Sequence, residues 1–139
     1  MRSSIDGFLE RDARFREENG LDPDVPLFCR HRFLGGEKSG DRVFVDAECV
    51  QFHLDATPGT PLPMSHGVRA PAVLTLDADD EPVSARAATE AGTSGDVDRL
   101  FPCAAARAAR ASEGMPIGEP GELRDRAEAY REATPGAGR

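Results

Sequence analysis

The chain has 139 residues, of which 17 are basic and 25 are acidic, and its formal net charge at pH 7 is −8. This length suits one domain with a single core, so we assign residues 1–133 to an α+β domain and residues 134–139 to a disordered tail. The acidic balance argues against nucleic acid and anionic membranes as partners, because both require clustered Lys and Arg.

The N-terminal segment is charged and has no apolar core of the kind that a signal peptide contains. No apolar run approaches the roughly 18 residues of a membrane helix. The sequence therefore predicts a cytoplasmic protein, in which the three cysteines remain reduced.

The first predicted element is an amphipathic helix over residues 4–19. Ser4 is a suitable N-cap, the apolar side chains fall near one helical face, and Gly20 is a stop signal. The following segment, "LDPDVP", reads as a turn-rich linker because its two prolines prevent a continuing helix.

Residues 27–54 predict a β-hairpin. The segment "PLFCRHRFL" alternates in polarity, "GGEKSGD" supplies turn residues, and "RVFVDAECVQFHL" forms the second strand. The alternation places Val43, Val45, Ala47 and Cys49 on one face, so we expect Cys49 to point into the core.

Beyond the hairpin we expect a long loop over residues 55–69, which contains three prolines and two glycines. A second hairpin follows, made of "APAVLTL" and "PVSARAA" around the turn "DADDE". Helices are predicted after Ser94, with Pro102 ending or restarting the first of them, and over residues 121–133. This order predicts a four-stranded antiparallel sheet with the helices packed on one face, as in a cystatin-like arrangement.

A metal site is one hypothesis for Cys29, His31, Cys49 and His53. Four residues of strand separate Cys49 from His53 by roughly 13 Å, too far for one ion. A three-ligand site of Cys29, His31 and Cys49 remains open if the hairpin register brings the cysteines opposite each other. The favoured interpretation is two core cysteines and two edge histidines, with neither a metal nor a cofactor.

Two carboxylates, Asp46 and Glu48, share a strand face close to Arg30 and Arg32. Paired carboxylates can perform acid–base chemistry. Cross-strand charge pairs are much commoner on the solvated face of a sheet, so we interpret this group as a surface charge ladder.

Three segments resemble a loosely defined group of small, uncharacterised actinobacterial proteins. They are "VFVDAEC", which ends at Cys49, "APAVLTLDADDEPV", and "DVDRLFP", which ends at Pro102. In that group the matching features are a strand ending in Cys, a hairpin and a helix. The resemblance implies a strand–hairpin–helix order and brings no catalytic residues with it.

The functional hypothesis is a small accessory protein that binds a partner protein or a small anionic ligand. We expect the site where the loop 55–69 meets the sheet, with His53, His66 and Arg69 as ligand-binding residues, because loops on a rigid scaffold often carry function. One alternative is an enzyme or metal-binding protein using the cysteines and histidines. Another is an immunity-type protein whose acidic face neutralises a basic partner. Catalysis and oligomeric state stay open.

Overall fold

A computed structural model describes residues 4–37, 40–57, 60–88 and 101–134. Its core is one antiparallel sheet of four strands, which lie side by side in chain order. This confirms the predicted α+β class and both hairpins. The strands are β1 (Phe28–Gly36), β2 (Arg42–Phe52), β3 (Met64–Leu76) and β4 (Pro82–Ala87), and the helices are α1 (Ser4–Arg11), α2 (Ala13–Glu18), α3 (Cys103–Ala111) and α4 (Glu122–Ala133).

The N-terminal helix differs from the prediction because it is broken at Asp12. This residue adopts an extended conformation, with φ −74° and ψ 114°, and its carboxylate accepts a hydrogen bond of 3.0 Å from the Phe15 backbone N–H. Asp12 is thus the N-cap of α2. The break allows Phe15 on α2 and Leu9 on α1 to be buried in the same apolar cluster.

The β1–β2 pairing confirms the predicted hairpin and its alternation. Cys29 lies opposite Cys49, and Phe33 lies opposite Val45. Cys49 has no exposed surface, as expected from the periodicity of its strand. The register thus places the two cysteines side by side on one face of the sheet.

The helices cover both faces of the sheet, which corrects the expectation of a single helical layer. On the N-helix face, defined by Cys29, Val45 and Cys49, the sheet packs against α1 and α2. On the C-helix face, Phe44 packs against the start of α3 and Phe52 lies in a cluster with residues of α4. Because β2 carries apolar residues on both sides, each side needs its own layer of helices.

Cys29 and Cys49 form a disulfide bond, so the expectation of three reduced cysteines is wrong for this pair. The cause is the strand register, which brings their Cα atoms to 4.1 Å, a spacing typical of a directly opposed, non-hydrogen-bonded pair. Cys103 is a free and exposed cysteine.

The outer edge of β1 is capped by a charged pair at Cys29. The Cys29 N–H donates to Glu10 Oε2 at 2.8 Å, and Arg126 Nη1 donates to the Cys29 carbonyl at 2.8 Å. Arg126 Nη2 also donates to Glu10 Oε2 at 2.5 Å. Backbone groups that lack a neighbouring strand are thus satisfied by side chains from α1 and α4.

The predicted loop 55–69 is shorter in the structure. Residues 64–69 belong to β3, where Met64 pairs with Phe52 and Arg69 pairs with Glu48. Pairing with β2 satisfies the backbone of this segment, whose local sequence has no strand signal. Pro102 is the N-cap residue of α3, so a helix begins directly after it. The predicted helical residues 94–100 lie outside the described residues, as do residues 135–139 of the predicted tail.

No helix in the described parts of the chain is long and apolar enough to cross a bilayer.

Replacing Cys29 and Cys49 together by Ala should lower the free energy of unfolding by about 3 kcal/mol, because the bond restricts the unfolded chain. Denaturant unfolding of the double variant measures this loss, and the Cys103→Ala variant is the matched control. In native, unreduced protein only Cys103 should react with a thiol reagent. Rapid labelling of Cys49 would contradict the buried disulfide.

The Phe101→Ala variant should lose about 3–5 kcal/mol of stability, because a buried aromatic ring leaves a cavity when it is removed. Phe101 is 5% exposed, and its ring centroid lies 4.9 Å from that of Phe44. Phe33→Ala is the control. Phe33 is 63% exposed, so the melting temperature of this variant should be close to that of the wild type. Equal melting temperatures for the two variants would show that Phe101 does not anchor α3.

Candidate functional site

Two of the three predicted site residues, His53 and His66, line a single cleft of about 350 Å³. His53 directly follows β2, and His66 lies opposite Gln51 within the β2–β3 pair. Because side chains of paired residues point to the same side of a sheet, the His66 imidazole lies on the N-helix face, at the end of the sheet where His53 follows β2. Both histidines are exposed, so a ligand can reach them.

The linker between α2 and β1 forms the opposite wall of this cleft and is held by Gln51. The Gln51 side chain is fully buried. Its amide oxygen accepts from the Asp22 N–H at 2.9 Å, and its amide nitrogen donates to the carbonyls of Asp22 and Val25 at 2.7 and 3.0 Å. A hydrogen bond of 2.9 Å from the His53 N–H to the Pro63 carbonyl fixes the other side. The cleft is therefore built on a rigid support.

Three carboxylates give this cleft its charge. Asp22, Asp24 and Asp55 line it together with the two histidines, so we call it the acidic cleft. The Asp22 carboxylate also accepts a hydrogen bond of 2.9 Å from the Asp24 N–H. Three negative groups around one opening favour a positively charged ligand and disfavour an anion.

The third predicted residue, Arg69, lies on the C-helix face and does not join the histidines. Its Nη2 donates to Asp46 Oδ2 at 2.8 Å and to the Ser112 carbonyl at 3.2 Å. The hydrogen bond to Asp46 raises the pKa of Arg69 above its usual value, against the opposing effect of desolvation. Arg69 therefore holds the end of α3 to the sheet.

The predicted charge ladder has the expected register but is not solvated. Arg30 lies opposite Glu48 and donates to it at 2.6 Å. The same guanidinium donates to the Glu119 carbonyl at 2.8 Å, and Asp46 is only 5% exposed. The connection between α3 and α4 covers this part of the sheet, which sequence periodicity does not reveal.

The three-ligand metal hypothesis is not supported. The thiols of Cys29 and Cys49 are joined to each other, so neither is available as a thiolate ligand. His31 Nδ1 lies 2.7 Å from Asp6 Oδ1, an interaction between β1 and α1. Within the described ranges no group of three or more His, Cys, Asp or Glu residues could hold a metal ion.

Comparisons of the chain with protein-family models, with characterised proteins and with solved structures gave no significant match.

The carboxylates of the cleft are the part that sequence reasoning missed. Asp22 and Asp24 lie in a segment recognised only as a linker, far along the chain from His53. The signal in the sequence was an acidic linker next to a strand rich in apolar residues. The bonds of Gln51, which the sequence pattern does not reveal, tie that linker to the strand that His53 follows.

Replacing Arg69 by Met should reduce the free energy of unfolding by about 2–3 kcal/mol, because it leaves the Asp46 carboxylate buried without its partner. The loss should be below that of a fully buried pair, since the Arg69 side chain is 29% exposed. Chemical unfolding of Arg69→Met measures this, with the exposed Arg107→Met as control. The double variant Asp46→Asn, Arg69→Met should recover part of the loss. Unchanged stability of Arg69→Met would indicate that Arg69 is free for a ligand.

Proposed function

We propose that this protein is a non-catalytic accessory protein that binds a positively charged group of its partner in the acidic cleft. The observation that carries the proposal is the convergence of His53 and His66 with three aspartates on one rigidly supported cleft. A ligand group suited to it is an amine or a guanidinium, carried either by a small molecule or by a basic protein.

The lining of the cleft supports an amphipathic ligand. Val25, Pro26, Phe52 and Leu54 contribute apolar surface beside the charged residues. Most ligand sites combine an apolar lining with a few polar groups that fix orientation. An aliphatic chain that ends in a cation matches both parts, as the side chains of Lys and Arg do.

The charge of the whole chain supports the same sign of ligand. A net charge of −8 attracts basic partners over long distances and raises the rate of encounter. The proposed ligand is thus opposite in sign to the anion expected from the sequence. The reason is the position of Arg69, whose positive charge is used on the other face of the sheet.

The disulfide supports a place of action that is more oxidising than the cytoplasm predicted from the N-terminus. Structural disulfides persist in oxidising compartments and are rare where thiols are kept reduced. The Cys29–Cys49 bond has no exposed surface at either residue, as expected for a bond that stabilises the fold.

NMR titration of the labelled protein with spermidine, and separately with inorganic phosphate, tests the proposal. Spermidine should shift the signals of His53 and His66, and the Asp24→Asn, Asp55→Asn variant should bind it at least about tenfold more weakly, equivalent to about 1.4 kcal/mol. The matched control is Asp79→Asn, Asp80→Asn, which removes the same charge from the exposed β3–β4 turn.

The variant His53→Ala, His66→Ala should also lose affinity while its melting temperature stays close to wild type, because both side chains are exposed. Equal affinity of spermidine for all these variants would contradict the proposal. Saturable binding of phosphate at the two histidines would instead support the anionic ligand that the sequence predicted for this site.

A further inference from the structure

A second cleft, of about 540 Å³, lies at the other end of β2. Its lining includes Arg42, Thr75, Ser84 and Arg86. Arg42 pairs with Thr75, and Thr75 pairs with Ser84, so the three residues form one row across β2, β3 and β4. Paired residues share a face, which puts a guanidinium and two hydroxyls side by side.

Arg86 adds a second guanidinium to this row. It lies two residues after Ser84 on β4, so its side chain points to the same face. It pairs with Val73, which belongs to the same cluster as Phe44 on the C-helix face. Arg42, Thr75, Ser84 and Arg86 are all exposed; together we call them the arginine–hydroxyl row.

Most side chains of the row have no partner in the described part of the chain. Among the described residues, the side chains of Thr75, Ser84 and Arg86 have no hydrogen-bond or ion-pair partner. Arg42 is oriented by Glu37, which accepts a hydrogen bond from it, and its guanidinium lies 5.8 Å from the centre of the Phe44 ring. That hydrogen bond raises the pKa of Arg42 above its usual value, and the Glu37 carboxylate offsets part of the positive charge of Arg42.

The carboxylates of this cleft are already engaged with their own helix. Asp12 accepts a hydrogen bond from the Phe15 N–H, and Glu18 pairs with Arg14 at 3.1 Å. Of the three arginines that line the cleft, Arg14 pairs with Glu18 and Arg42 pairs with Glu37, so Arg86 supplies the guanidinium that is unpaired among the described residues.

We propose that the arginine–hydroxyl row is a binding site for the phosphoryl group of a small phosphomonoester. Guanidinium groups present N–H donors that match tetrahedral oxyanions, and charge-assisted hydrogen bonds of this kind are the strong ones. The hydroxyls of Thr75 and Ser84 donate to the remaining oxygens. The cleft exceeds the size of a phosphate ion, and its volume falls in the range of small-molecule sites.

This site is separate from the acidic cleft in position and in the residues that line it. Arg42 begins β2, whereas His53 follows the end of the same strand. The two proposals are therefore tested by different ligands and different variants, and either can fail alone.

NMR titration of the labelled 139-residue chain with phenyl phosphate at constant ionic strength tests the site. Saturable shifts should appear at the amides of Thr75, Ser84 and Arg86. The Arg86→Gln variant should raise the dissociation constant by about tenfold, as expected for the loss of one charge-assisted pair. The double variant Thr75→Val, Ser84→Ala should also raise the dissociation constant.

Arg107→Gln is the matched control, because it removes one exposed arginine from α3 and should leave the dissociation constant unchanged. Melting curves show that each variant is folded. Acetate in place of phenyl phosphate should give weaker binding. Non-saturable shifts in the wild type, or equal weakening by Arg86→Gln and Arg107→Gln, would overturn the proposal.

Discussion

The fold depends on the junction at Cys29, where four elements are joined through one residue of an edge strand. The disulfide ties this residue to β2, the Glu10 carboxylate accepts its N–H, and the Arg126 guanidinium binds its carbonyl. A buried strand edge without a neighbour would leave polar backbone groups unsatisfied. An ion pair of two helices takes the place of a fifth strand here, so α1 and α4 are held to the same edge.

Arginine side chains perform a similar task on the C-helix face. Arg30, Arg32 and Arg69 donate to backbone carbonyls of the connection between α3 and α4, at Glu119, Pro116 and Ser112. The planar guanidinium can bind a carboxylate and a carbonyl at once, as Arg30 and Arg69 do here. These arginines hold the C-terminal segment to the sheet, and both proposed binding sites lie outside their network.

The local sequence pattern predicted an element correctly where its hydrophobic alternation matched one buried face of the sheet. Alternation along "RVFVDAEC" predicted the β1–β2 hairpin and the burial of Cys49, and the turn residues of "DADDE" predicted the second hairpin. The local pattern was insufficient where a contact with residues far along the chain changes the secondary structure. Residues 64–69 are in a strand because β2 pairs with them, and the helix 4–19 is broken because Asp12 caps α2 and thereby allows Phe15 to be buried.

The sequence by itself determined the α+β class, the two hairpins and the two histidines near one loop, because these follow from the periodicity and turn chemistry of short segments. Only the tertiary structure decided the strand register and its disulfide, the second layer of helices, and which charged side chains line each cleft. Charge at a site is the sum of groups brought together by folding. Asp22 and His53 lie far apart in sequence and meet because Gln51 binds the linker, whereas Arg69, close to His66 in sequence, points to the opposite face of the sheet.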